Sequence, residues 1–476
     1  MTKLIYSISL AAAIATTGQQ SGAIPPPPPP SMMERVAEDS LAYDITEQLG
    51  REIGPRQGGT AAEQKARDWA AKKLNAMGFD NVREESFMMP TWVRGEEKVS
   101  LTGPVQMDLS VTALGNSGST GAVPLKGEIA YFPTFDGLLA ASDTYVRGKI
   151  VYVDHDMRRT QDGSSYSYFG RGRFVGSNAA AKKGAIAFLV RSAGTDDHDH
   201  PHAGNTNFEA GVTAIPSAAV SNADADRFSA ELAKAAEPPF THKYSTGGYG
   251  PTPFQAEILL TPQNLGAQKS GNVIAEVTGS NPALPPILIA CHLDSWDLGT
   301  GAFDDGAGCG IITAAASYIK NYSTPKRTIR ILWAGAEEVG IWGGKDYAVK
   351  HGGTPHAIAM ESDFGADRVW RVDFNLPESA KPLQDRITQR LALLGIAPSK
   401  DKAGGGADIG PIIAKQGPGI IDLNQDGTRY FDIHHTKLDT IVLIDKDQLR
   451  QNVVAWTIVL DELTQYEGEL KPEPKP

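Results

Sequence analysis

The run Ile287-Leu288-Ile289-Ala290-Cys291-His292-Leu293-Asp294-Ser295-Trp296-Asp297-Leu298-Gly299-Thr300-Gly301-Ala302-Phe303-Asp304-Asp305 opens as a buried strand and closes at the start of a helix. Its apolar half, Ile287 to Cys291, ends on His292 and Asp294. Strand side chains alternate faces, so residues two apart point the same way. His292 and Asp294 can therefore sit together at the carboxyl end of a strand, where open α/β sheets place their ligands. A glycine-rich turn follows, and Asp304-Asp305 lead into an alanine-rich helix from Gly306 to Ile319. Imidazole and carboxylates at a strand end suit zinc. A charged strand-to-helix loop with an incidental histidine would look the same in isolation.

Outward from this run the chain reads as an alternation of strands and helices from Gln255 onward, which predicts a doubly wound α/β sheet. The expected strands are Ala256 to Leu260, Val273 to Val277, Thr328 to Ala334 and Ala357 to Met360. Helices are expected over Ile341 to Lys350, Pro382 to Leu394 and Lys446 to Leu463. Upstream, apolar positions at helical spacing (Leu41, Ile45 and Leu49, then Ala66, Trp69, Ala70 and Leu74) predict a helix pair. The pair is joined by Ile53-Gly54-Pro55-Arg56-Gln57-Gly58-Gly59-Thr60 and followed by a strand over Val82 to Met89. Trp92 and Arg94 fall in a polar connector. Between about Leu109 and Tyr244 the texture changes to short strands and glycine turns, the pattern of a β-rich insertion of domain size.

The chain has 476 residues, 41% of them hydrophobic and 21% charged, as expected of a globular protein with more than one core. Its net charge of -11 argues against a nucleic-acid partner, which would require clustered Lys and Arg. Lys3, the apolar Leu4 to Thr16 and the small residues Ser21-Gly22-Ala23 form a secretory signal peptide, so the mature protein is expected to be secreted or periplasmic. The apolar run is too short for a membrane anchor. Pro25 to Pro30 form a stiff spacer. The expected boundaries are thus a signal peptide over 1–23, a linker over 24–33, the first part of the main domain over 34–107, the insertion over 108–250, the rest of the main domain over 251–466, and a tail over 467–476. Cys291 and Cys309 are the only cysteines; export would permit a bridge between them, but two small buried core residues is the favoured reading.

Three further groups fall where the sheet would converge. The strand ending at Ala334 runs into Glu337-Glu338, neighbours whose side chains diverge, so one can bind metal while the other stays free as a base. The strand ending at Met360 runs into Glu361-Ser362-Asp363. Asp432-Ile433-His434-His435-Thr436-Lys437-Leu438-Asp439-Thr440 supplies imidazole. Either member of Asp304-Asp305 and of His434-His435 has a ligand's chemistry. Within the insertion, Asp196-Asp197-His198-Asp199-His200-Pro201-His202 has metal-like spacing, but Pro201 and Gly204 favour a solvated loop. Ala403-Gly404-Gly405-Gly406-Ala407-Asp408 reads as either a substrate loop or an ordinary connection.

With these motifs in hand, the sequence resembles the co-catalytic di-zinc aminopeptidases, in particular their carboxypeptidase Q-like (plasma glutamate carboxypeptidase-like) branch. The resemblance rests on His292-Leu293-Asp294-Ser295-Trp296-Asp297, Gly301-Ala302-Phe303-Asp304-Asp305-Gly306, Ala336-Glu337-Glu338, Met360-Glu361-Ser362-Asp363 and His434-His435-Thr436 with Asp439-Thr440. Ile53-Gly54-Pro55-Arg56 and Trp92 with Arg94-Gly95 extend it, so it covers most of the mature chain. It implies a zinc aminopeptidase-like mixed sheet carrying an inserted protease-associated domain. It also implies two Zn2+ per chain: His292 and Asp363 on one, Glu338 and His435 on the other, and Asp304 bridging. Glu337 would be the general base and Asp294 the carboxylate that orients His292. The implied activity is exopeptidase hydrolysis of short peptides, dipeptides especially, from a free N-terminus, by a metal-activated water. A homodimer is the assembly the resemblance allows. The rival readings are a binding protein that has lost catalysis and a zinc hydrolase of N-acyl amino acids.

Overall fold

The structure is a computed structural model that describes residues 31–235 and 252–473. The signal peptide and the proline spacer read from the sequence lie outside the described residues. Asp304-Asp305 and its neighbours lie beside an eight-stranded mixed sheet. The strands Ile287–His292, Ile329–Ala334 and Ile358–Glu361 run parallel at its centre, with Gly419–Gln425 parallel beyond them. Antiparallel strands flank them: Gln263–Val277 and Asp80–Val93 on one side, Val369–Asn375 on the other.

Alternation along the strands decides what each face covers. Ile287, Ile289, Cys291, Ile329, Ile331 and Trp333 point to one side and pack with Ile45, Leu49, Ile311, Ile319, Trp456 and Leu460. These come from the helices Leu41–Glu52, Ala307–Tyr322 and Lys446–Gln465. Leu288, Ala290, Leu332 and Ala334 point to the other side, against Tyr347, Ala348, Ile409 and Ile412 of the helices Trp342–His351 and Gly410–Gln416 and the turn before them. Both faces are buried, which is why the central strands read as unbroken apolar runs.

A second eight-stranded sheet is built from the stretch of chain between the Asp80–Val93 and Gln263–Val277 strands of the first. Its middle strands, Leu125–Phe132, Ile150–Val153, Ala187–Arg191 and Ser217–Val220, are parallel, with helices such as Arg171–Lys182 between them. Glu97–Thr102 pairs along its length with Gln255–Leu260, so this sheet takes in residues on both sides of the 108–250 span. Three other expectations shift. Trp92 is part of the long Asp80–Val93 strand and is buried, not in a polar connector. The first helix begins at Met32, capped by Ser31 and Glu34, inside the stretch read as linker. Leu470 is fully buried and the Gly468 carbonyl accepts from Arg327 Nη2 at 2.7 Å, so the expected tail is packed down to that point. Among the described residues no helix is long and apolar enough to cross a membrane.

Candidate metal centre

His292 is the last residue of its strand, and Glu337, Glu338 and Asp363 follow the carboxyl ends of the two strands beside it. Parallel strands carry these ends to the same edge, so topology alone gathers residues far apart in sequence. His292 Nε2 lies 2.9 Å from Asp304 Oδ1 and 3.5 Å from Asp363 Oδ1. His435 Nε2 lies 3.1 Å from Asp304 Oδ2 and 2.9 Å from Glu338 Oε2. One carboxylate thus stands between two imidazoles, each with its own second acid. His434 Nε2 is also within reach of Asp304 Oδ2, at 3.5 Å, and its ring stacks on His435.

Asp304 and Asp305, joined by a cis peptide, have separate surroundings. Asp305 turns inward. Its Oδ1 accepts from Gly308 N at 3.0 Å, at the start of the Ala307–Tyr322 helix, and its Oδ2 from His292 N at 3.1 Å. Asp304 Oδ2, though buried, makes no hydrogen bond. The Asp304 backbone is held by Asp439, whose Oδ1 accepts from Ala302 N and Phe303 N at 2.8 and 2.6 Å and whose Oδ2 accepts from Asp304 N at 3.2 Å. Arg56, fully buried, donates to the carbonyls of Leu293, Thr300 and Gly301 and so pins both ends of the same loop. That is what the Gly-Pro-Arg turn read between the first helices does.

The electrostatics describe carboxylates short of cations. Burial and the neighbouring Asp363, Glu338 and Asp294 push Glu337 well above the usual carboxylate range, although His292 opposes them. Burial and Asp304 bring Glu338 up to about 7. Burial would raise Asp304 too, but His292 and His435 outweigh it and hold that carboxyl far below its ordinary value. Burial works against a charged His435, yet Glu338 and Asp304 draw the imidazole up to about 10. Clustered acids, two imidazoles aimed at a shared carboxylate and an orphaned buried oxygen are a donor set suited to divalent cations of the zinc type.

Asp294 differs in detail from its expected role. His292 Nδ1 meets the Asp294 backbone carbonyl at 3.0 Å, while the nearer carboxylate oxygen stands 3.7 Å away. That oxygen instead accepts from Glu337 N at 2.9 Å. The cysteine expectation is corrected: Cys291 and Cys309 form a disulfide, their Cα atoms 5.2 Å apart, because the strand end and the first turns of the following helix are adjacent.

The inserted sheet, which shows no catalytic constellation in the sequence, reaches the site in the structure. Ala203 O meets His435 Nδ1 at 3.1 Å, and Asn205 Nδ2 donates to the Glu338 carbonyl. Arg173, nearly fully buried, donates to Ala203 O at 3.1 Å and to the Tyr166 hydroxyl. Gly204, at φ +144°, makes room for it, since a Cβ there would lie 2.3 Å from the guanidinium carbon. Sequence offered no signal for Ala203, which acts through its backbone. Asp408 is fully buried with both carboxylate oxygens unpaired, and its N–H donates to Glu361, so the glycine-rich stretch ends in a packed turn.

The carboxylates open into a cavity of about 510 Å³ lined by Tyr166, Arg173, Asn205, Phe364, Tyr430 and Phe431 as well as Glu337, Glu338 and Asp363. A larger cavity of about 710 Å³, beside Phe135, Arg171 and Lys182, touches none of the acids of this centre, so size alone does not locate the site.

Comparison with known proteins follows the same lines. Residues 272–458 match the family described as Peptidase family M28. Carboxypeptidase Q of Bos taurus is 30% identical over 421 residues, 88% of this chain and 84% of its own length. The Homo sapiens carboxypeptidase Q matches to the same extent. Among solved structures, the peptidase M28 precursor of Shewanella amazonensis SB2B superposes with a TM-score of 0.87 at 40% identity, covering 94% of this chain and 98% of its own. The zinc aminopeptidase BSAP of Bacillus subtilis shares the fold at a TM-score of 0.61 and 18% identity, over 90% of this chain and 96% of its own.

Proposed function

The chain belongs to peptidase family M28 and is a metallopeptidase, and from that premise we propose that it holds two zinc ions and hydrolyses short peptides from a free N-terminus. The observation that carries the reading is the placement of Asp304 between His292 and His435, with Asp363 and Glu338 as the outer acids. These five residues would hold the ions. When bound, zinc supplies a water of lowered pKa and polarises the scissile carbonyl.

The chain's own groups do the rest. Glu337 lines the cavity without serving as one of the five ligands, and its carboxylate takes the proton of the attacking water. It then passes that proton to the departing amine. Asp294 sets the position of both partners, through its carbonyl on His292 and its carboxylate on the Glu337 backbone. A cavity of about 510 Å³ fits a short peptide, since small-ligand clefts run to roughly 300–1,000 Å³.

The second sheet is read as the protease-associated-type insertion, a view supported by its position between Glu97 and Leu260. The Lys3 to Ala23 leader supports export, as does the disulfide, since bridges persist in oxidising compartments. Cleavage of dipeptides with free and with acetylated amines, by wild type and Glu337→Gln, tests the reading. Hydrolysis of the free-amine set alone, abolished in the variant, is expected. Cleavage of the acetylated set would favour the N-acyl reading, and inert zinc-loaded protein the binding one.

A further inference from the structure

The segment Asp196–His202 has the composition of a metal site, and three of its side chains converge. Asp196 meets His202 Nε2 at 2.6 Å and accepts from Asn222 Nδ2 at 2.8 Å and from the His198 backbone N–H at 3.2 Å, with the His198 ring Nδ1 3.0 Å away. Protein donors already satisfy this carboxylate, so the cluster is complete without an ion. Gly194 packs against it so closely that a Cβ would lie 2.2 Å from His202 Nε2.

The outward nitrogens explain what the cluster faces. His198 Nε2 meets the Asp432 carbonyl at 2.7 Å, and His202 Nδ1 meets the His434 carbonyl at 2.6 Å. Thr195 N donates to Phe431 O at 3.0 Å, and Ala203 N to His435 O at 2.9 Å. Between Phe431 and His435, every carbonyl except that of Ile433 is therefore taken by residues 195–203. The Ile433 carbonyl accepts from Thr436 N within its own loop. His435 itself sits at φ +62°, a left-handed conformation. For a non-glycine residue that costs on the order of 1–3 kcal/mol and persists only where the surroundings impose it. Its imidazole, in turn, is held by the Ala203 carbonyl.

We infer that Asp196, His198 and His202 are positioning residues for His435: the inserted sheet fixes the backbone and ring of one metal ligand and so governs the affinity of one of the two ions. The inference rests on the two-zinc reading. Asp196 orients the imidazoles, the imidazoles grip the Asp432 and His434 carbonyls, and Ala203 completes the clasp. Loss of such outer contacts typically lowers metal affinity about 10- to 100-fold. The contacts reach only the His435 side, so the effect should be confined to the ion shared with Glu338.

The test is stepwise zinc withdrawal by a graded chelator from full-length wild type, His202→Leu and His202→Asn, with zinc counted per chain. The Asn amide can still donate where Nδ1 does. Expected are two ions in wild type, one released about 10- to 100-fold more readily in His202→Leu, the other unchanged, and partial recovery in His202→Asn. If His202→Leu does not fold, His198→Ala, at the half-exposed end of the cluster, is read in the same way. Folded variants that keep both affinities, or lose both equally, overturn the inference. So does a third ion in wild type that Asp196→Ala abolishes, because the cluster would then be a site itself. Wild type holding a single ion would sink the two-zinc reading instead, and the inference would then stand or fall on whether His202→Leu weakens that ion.

Discussion

Asp294 accepts a 2.9 Å hydrogen bond from the backbone N–H of Glu337, so the residue beside the His292 imidazole also anchors the strand end that bears the proposed base. One residue therefore touches both, its backbone carbonyl the His292 ring and its carboxylate the Glu337 backbone, so a side-chain change at Asp294 acts first on the base.

Glu337→Gln keeps the size of the side chain and removes its basicity. The turnover number should fall about 100- to 10,000-fold, with KM and zinc content near wild type. Single-turnover kinetics and zinc analysis on one preparation check it. Loss of zinc in this variant would make Glu337 a ligand and remove the proposed division of labour with Glu338.

Asp304→Asn leaves the fold's hydrogen bonds to Asp439 in place, because those use the Asp304 backbone. It removes the carboxylate standing between His292 and His435. Zinc should drop to one ion per chain or fewer, a larger effect than the roughly 10- to 100-fold expected for an outer contact. Asp305→Asn, whose target already caps a helix and holds His292 N, should lose stability before it loses zinc.

Arg56→Ala strands the carbonyls of Leu293, Thr300 and Gly301 in a buried loop. Hydrogen bonds from a charged donor contribute about 1.5–3 kcal/mol each, so destabilisation of about 3 kcal/mol or more is expected. Urea unfolding of the metal-free protein measures it without interference from zinc.

Burial lowers His356 to about 4, with Tyr347 and Gln416 as partners of its neutral ring. The folded pKa is below the unfolded one, so the unfolded chain binds the extra proton. Stability is full above about pH 6.5 and falls as pH drops toward about 4, by at most roughly 3 kcal/mol. Denaturation midpoints across that window should show the slope, and His356→Gln should flatten part of it.

Cys291 and Cys309 close a loop of sequence separation 18 that contains His292, Asp294 and Asp304. Replacing both by Ala should cost about 3 kcal/mol, the entropy of closing a loop of this size. Thiol titration of the unfolded, unreduced protein should find no free thiol.

The central sheet was legible because its strands are apolar on both faces and end in glycine turns, and because the chemistry sits at those ends. His292, Glu337, Glu338 and Asp363 need only the strand boundaries to be brought together. Val369–Asn375 was missed because it lacks the unbroken apolar run of the central strands: Trp370, Val372 and Phe374 alternate with Arg371, Asp373 and Asn375 on the strand next to the edge. The disulfide stays undecided in the sequence because nothing in its spacing marks a pair, and only the packing of the Ala307–Tyr322 helix against the strand brings the sulfurs together. The reach of the insertion into the site was invisible for a different reason. Ala203 and the carbonyls of Asp432 and His434 act through backbone atoms, which every residue type carries.

Zinc titration of the metal-stripped protein, followed by hydrolysis of an unblocked dipeptide, bears most directly on the paired-ion centre. Activity rising to a plateau at two equivalents per chain is the predicted result. Full activity at one equivalent, or a protein saturated with two ions that leaves the dipeptide intact, would contradict it.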